Sequence, residues 1–121
     1  MLIAFWIVNG LTALVFLAAG GMKLALAKEK LAGRGLGWVE DFTTGPIKLI
    51  GVAEVLGAIG LILPVLLGIA EVVTPIASIA LGVLMIGALV THVGRKENPG
   101  VPIVLELLLI ASAILGFLVV K

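Results

Sequence analysis

Four ionisable side chains stand inside otherwise apolar stretches of this sequence: Lys23, Glu54, His92 and Glu106. An ammonium, a carboxylate and an imidazole brought together in a low-dielectric space can hold the oxygens of a polar head group. They can also relay a proton, since imidazole is the side chain that most readily exchanges one near neutral pH. Glu54 poses the problem most sharply, because it is the one charge in "LIGVAEVLGAIGLILP", residues 49–64. A charge at the centre of a bilayer costs about 2.5–3.5 kcal/mol, and such groups usually face a bundle interior or a wet cavity. Lysine can reach the interface along its own stem, whereas glutamate is too short. Glu54 is therefore expected to be paired, neutral or hydrated, with Lys23 and His92 arriving at a nearby depth from neighbouring helices as its partners.

The elements that must position these groups follow from composition. The 121 residues are 62% hydrophobic and 12% charged, with a mean hydropathy of +1.36. Ordinary globular domains are about 45–50% apolar and about 25% charged. Four apolar runs, at residues 2–27, 46–67, 73–94 and 102–120, are each long enough to cross roughly 30 Å of hydrocarbon, which takes about 20 helical residues. Spanning strands would alternate apolar and polar residues, and these runs do not. The expected fold is all-α: one domain over residues 1–121, a four-transmembrane-helix bundle with a polar loop at 28–45. "LAAGG" resembles a cleavage site, but no basic leader precedes the apolar run, so the first span reads as a retained helix.

With four spans, both termini lie on one side. Lys23, Lys28, Lys30, Arg34, Lys48, Arg95 and Lys96 lie towards the other, opposite Lys121 alone. The positive-inside rule makes the loop-bearing side cytoplasmic, which predicts a multi-pass inner-membrane protein with both termini non-cytoplasmic. Glu54 then lies about 8 residues, or about 12 Å, into its helix. Helical spacing gives candidate inward stripes of Asn9, Thr12, Phe16, Gly20 and Lys23; Gly51, Glu54, Gly57 and Ala58; Ser78, Gly82, Met85, Leu89 and His92; and Glu106, Ile110, Ala113 and Phe117. Ligand-binding or proton-relay candidates are Lys23, Glu54, His92, Glu106, Asn9 and Thr12. The plainer roles are a structural ion pair for Glu54, polar helix ends for His92 and Glu106, hydrogen bonds between helices for Asn9 and Thr12, and interfacial snorkelling for Lys48.

Other chemistry finds less support. Gly33, Gly35 and Gly37 follow no strand and lack the dinucleotide spacing, so "KEKLAGRGLGWVEDFTTG" reads as a flexible connector with Trp38 and Phe42 as interfacial anchors. Glu54, His92 and Glu106 are suitable metal donors, but no Glu-x-x-His motif accompanies them and no metal is assigned. There is no Gly-x-Ser-x-Gly elbow, and with no cysteine the chain has neither a disulfide framework nor thiol redox chemistry. No catalytic residue is assigned. Small residues in "GVAEVLGAIG" and "ALGVLMIGAL" read as close-packing surfaces. Each hairpin also repeats a base followed by an acid, Lys23 with Glu54 and His92 with Glu106, a faint parallel repeat.

"AAGGMKL", Trp38, "GPIKLIGVAEVLGAIGLILP" and "TPIASIALGVLMIGALVTHV" together resemble the DoxX-like family of small four-helix membrane proteins over nearly the whole chain. The most specific elements are Gly20 to Leu24, Glu54 with the following "GAIGLILP", and Gly87, Ala88 and His92. The resemblance maps the family's recurring Lys, Glu and His onto Lys23, Glu54 and His92. Relatives are linked to quinol oxidase or thiosulfate:quinone oxidoreductase subunits, to a membrane oxidoreductase complex, and to chaperones of receptor channels. It thus implies a small accessory subunit of a redox or quinone-linked system, with a quinone or another lipophilic ligand held in a polar pocket around Glu54. The alternatives are a proton-coupled small-molecule exporter and an assembly module without catalysis. Fitting partners are the lipid bilayer, a membrane or redox protein, and a second copy of the chain; nothing points to nucleic acid.

Overall fold

A computed structural model describes residues 2–34 and 36–120; Met1, Gly35 and Lys121 lie outside it, and with them the readings placed on the first residue, the middle glycine of the loop and the lone opposing lysine. The chain forms α1 (Leu2–Ala25), α2 (Lys28–Gly33), a 3₁₀ turn (Gly37–Asp41), α3 (Thr44–Leu67), α4 (Val73–Gly94) and α5 (Gly100–Val119). Four of these helices are long and apolar enough to cross a membrane. The protein is an all-α, multi-pass membrane bundle. The observed spans depart from the sequence boundaries by two residues at most, and α4 begins and ends where expected.

Neighbouring helices run antiparallel. Early α1 meets late α3 where Asn9 reaches the Leu61 carbonyl, and late α1 meets early α3 where Lys23 reaches Glu54. Ser78 of α4 contacts Ser112 of α5, and Ser112 also contacts Asn9. The helices therefore close a ring in the order α1, α3, α4, α5. Its apolar centre is Phe16, Ala58, Leu61, Leu81, Met85 and Leu109. Large side chains such as Leu49, Val83, Leu107 and Phe117 are left exposed; on spanning helices that outer surface is the one that contacts lipid.

Backbone polar groups need internal partners at this depth, and the helix ends and breaks are satisfied accordingly. Pro64 lies inside α3 and has no N–H for the carbonyl four residues earlier, that of Gly60. The Thr74 hydroxyl donates to that carbonyl at 2.8 Å. At the loop-bearing end, the Lys48 ammonium donates to the carbonyls of Lys23 (2.5 Å), Leu24 (3.2 Å) and Leu26 (2.8 Å). All three of its N–H groups are used on the C-terminus of α1, where cations are favoured by the helix dipole. Lys48 is thus a helix cap, where the sequence suggested a snorkelling side chain.

Residues 28–34 and 36–43 also differ from the flexible connector expected of them. Leu31 in α2 and Val39 in the 3₁₀ turn are fully buried, and with Ile47 they form a second core against Met22, Leu26, Leu36, Trp38 and Phe42. Trp38 and Phe42 stack edge to face at 5.6 Å. The segment is a folded strap across the bundle end. Its glycines concealed this, because they broke up the apolar periodicity that marks a short helix.

Candidate functional site

The stripe chosen for α1 is the buried face: Asn9, Thr12, Phe16, Gly20 and Lys23 all point inward. On α3, Gly51, Glu54 and Ala58 are buried, and Gly57 packs against Leu81. On α4, Ser78, Gly82 and Met85 are buried, while Leu89 and His92 are partly so. The α5 stripe is corrected. Ile110 and Phe117 are 49% and 53% exposed, and the inward residues are Pro102, Leu109, Ser112 and Gly116. The stripe was anchored on Glu106, which lies about 60° around the helix from Leu109 and so sits at the edge of the buried face.

Lys23 and Glu54 come together. Lys23 Nζ lies 2.6 Å from Glu54 Oε1, and the residues are 6% and 2% exposed. At this separation the ammonium and the carboxylate form a buried salt bridge. Lys23 Nζ also stands 5.9 Å from the centre of the Trp38 ring, within the range at which a ring face attracts a cation. Two glycines allow this geometry. A Cβ on Gly20 would sit 2.7 Å from the Gly51 carbonyl oxygen, and one on Gly51 would sit 3.0 Å from the Gly20 carbonyl oxygen and from Lys23 Cβ. Helices α1 and α3 therefore approach closely beside the pair, as membrane helices do over small residues.

His92 is not a partner of Glu54. Its Nδ1 faces Glu97 Oε1 at 3.4 Å, in the connection between α4 and α5. Arg95 lies beside it, with Nη1 2.6 Å from Asp41 Oδ2 and Nε 3.3 Å from Glu97 Oε2. The hydrogen bond to Asp41 raises the Arg95 pKa, opposed by desolvation and reinforced by Glu97. This link ties the strap to the far hairpin. Depth along the chain put His92 near Glu54, but depth alone could not tell which way around α4 the imidazole points.

Glu106 stands apart from both groups. It lines a groove of about 230 Å³ between α4 and α5 together with Ser78 and Gly82. A Cβ on Gly82 would lie 2.9 Å from Glu106 Oε1, so the glycine makes room for the carboxyl. Glu106 Oε2 is buried without a hydrogen-bond partner among the described residues. Glu54, His92 and Glu106 thus have separate surroundings, and among the described residues no three His, Asp or Glu side chains are grouped as a metal site.

The polar residues nearer the opposite end form a network that the sequence revealed only in part. Asn9 Nδ2 donates to the Leu61 carbonyl at 2.9 Å, and Asn9 Oδ1 accepts from Ser112 Oγ at 2.7 Å. Because Ser112 spends its hydrogen on Asn9, the 2.7 Å contact between the serines is made by the Ser78 hydroxyl donating to Ser112. The Thr74 carbonyl, 3.3 Å from Ser78 Oγ, is the longer alternative. One chain of hydrogen bonds therefore joins all four spans. Thr12 takes no part, since its hydroxyl donates to Val8 in its own helix at 2.6 Å. Ser112 was missed; the signal was a lone hydroxyl four residues before Gly116 in an otherwise apolar helix.

The model of the DoxX-like family matches residues 7–114. No curated protein and no solved structure gives a significant match.

Proposed function

The chain belongs to the DoxX-like family, and from that premise we propose that it is a small accessory subunit of a redox or quinone-linked membrane system, with Lys23 as its ligand-facing group. The observation that carries this reading is the placement of the Lys23 ammonium, buried at the loop-bearing end between Glu54 at 2.6 Å and the Trp38 ring at 5.9 Å. Replacing a buried ion pair with apolar residues is often neutral or stabilising. Stability alone is thus a weak reason for a charge here. Glu54 fixes the ammonium in place, and the Lys23 N–H groups not turned to Glu54 can donate to the carbonyl oxygens of a quinone head group. Trp38 is half-buried beside the ammonium, and its ring offers a surface for stacking. On this reading the loop-bearing side is the cytoplasmic one, where Lys28, Lys30, Arg34 and Lys96 also lie.

Protein carrying Trp6→Phe has Trp38 as its single tryptophan, so quenching by a short-chain quinone in nanodiscs reports on this place. Saturable quenching that weakens on Lys23→Met is the expected result. Quenching that is linear in quinone and unaltered by Lys23→Met overturns the reading.

A second reading, an assembly module without chemistry, is favoured by the Asn9–Ser112–Ser78 chain, which satisfies its polar groups internally and so acts on helix register alone. Retention of a partner protein by native-membrane capture, undiminished by Lys23→Met, would favour it over ligand binding. The exporter alternative needs a carboxyl free to exchange with cargo; Glu54 is engaged by Lys23, which leaves Glu106 as the residue on which it rests.

A further inference from the structure

The bundle holds two carboxyls in opposite circumstances. Glu54 has a counter-ion supplied by the chain itself, in Lys23. Glu106 has none among the described residues: its groove is lined by apolar residues, Gly82 and Ser78, with no lysine, arginine or histidine among them. We propose that the groove between α4 and α5 is a binding site for a lipophilic ammonium ion, whose N–H group is held by Glu106.

The lining has an inventory of acceptors and no spare donor. Glu106 Oε2 is buried without a partner. Ser78, on the floor of the groove, already donates its one hydrogen to Ser112 and offers only lone pairs. A ligand that presents carbonyl oxygens would meet acceptors, whereas one that presents N–H groups meets a carboxylate. Its positive charge supplies what Lys23 supplies to Glu54, and a hydrogen bond between two charged groups is among the strongest available.

Shape and access agree with this chemistry. Ile79, Val83 and Ile86 of α4 and Ile110 of α5 form walls that are themselves exposed on the outer surface of the bundle, so the groove opens sideways, towards the hydrocarbon of a surrounding bilayer. Its volume of about 230 Å³ exceeds the roughly 150 Å³ in which an apolar protein cavity accommodates benzene. One aromatic ring with a short aminoalkyl arm fits that description. Glu106 lies about 9 Å along α5 from its start at Gly100, a depth at which a charged head can stay near the interface while its ring lies among the isoleucines. This site is distinct from the Lys23 region and holds whether or not a quinone binds there.

The test uses full-length protein in phosphatidylcholine nanodiscs, equilibrated with radiolabelled 4-phenylbutylamine, with the neutral 4-phenylbutanol as its matched control. The expected result is saturable amine binding that is about tenfold tighter than alcohol binding and about tenfold weaker in Glu106→Gln. Gly82→Ala keeps the carboxylate but displaces it, at the far end of a flexible side chain where the fold tolerates the shift; it is expected to weaken the amine specifically. Amine binding no different from that of Glu106→Gln, or alcohol bound as tightly as amine, overturns the proposal. If Glu106→Gln does not fold, Gly82→Ala decides, and an unchanged amine affinity in that variant overturns it equally.

Discussion

Gly20 and Gly51 lie face to face across α1 and α3, so close that a Cβ on Gly20 would stand 2.7 Å from the Gly51 carbonyl oxygen. Backbone cannot swing aside as a side chain can. Gly20→Ala must separate the two helices and disturb the Lys23–Glu54 pair one turn away, with an expected loss of about 1–3 kcal/mol. Gly10 lies on the same helix with nothing within 4 Å of its Cβ position. Gly10→Ala is expected to be neutral or slightly stabilising, because alanine is the better helix former. Thermal unfolding of both variants in one detergent checks the contrast, and equal midpoints would refute the close approach.

The Thr74 hydroxyl stands in for the N–H that Pro64 lacks. Thr74→Val keeps the shape but strands the Gly60 carbonyl, at an expected cost of about 1–3 kcal/mol. Pro64→Ala returns an intrahelical donor to that carbonyl. In its background, Thr74→Val should cost markedly less, so a double-mutant cycle on Pro64 and Thr74 is expected to be non-additive. Additive effects would mean that the hydroxyl does not serve this carbonyl.

Lys48 holds the last turn of α1 by three carbonyls. Lys48→Met is expected to destabilise that turn by up to about 2 kcal/mol and to speed amide exchange locally, at Leu24 to Ala27. Lys30 is exposed and makes no such contact, so Lys30→Met serves as the control for charge alone. Equal exchange in the two variants would argue against the cap.

Much of this fold was legible because a membrane helix is a length of apolar sequence, and four such lengths stand out without any finer signal. The inward faces of α1, α3 and α4 were legible too, since Asn9, Lys23, Glu54 and Ser78 mark them with polarity that lipid excludes. The α5 face was misjudged for the same reason turned around. Glu106 is the conspicuous polar residue of that helix, while the less conspicuous Ser112 and Gly116 are the ones packed against Asn9, Ser78 and Pro75. The strap was hidden because its core is assembled from distant positions, with Leu31 and Val39 meeting Met22 and Ile47. Sequence also placed Lys23 and His92 at comparable depths, yet only Lys23 reaches Glu54. Azimuth around a helix, set by packing at glycines, decides that, and charge spacing does not record it.

The central claim is that Glu54 is committed to Lys23 while Glu106 is uncommitted, and unfolding midpoints of Glu54→Gln and Glu106→Gln in identical ligand-free nanodiscs test it most directly. Glu54→Gln leaves Lys23 buried without its counter-ion, for which the expected loss is about 3–5 kcal/mol. Glu106→Gln removes a carboxyl that has no partner among the described residues, and an unchanged or raised midpoint is expected. A stable Glu54→Gln beside a strongly destabilised Glu106→Gln would contradict the account.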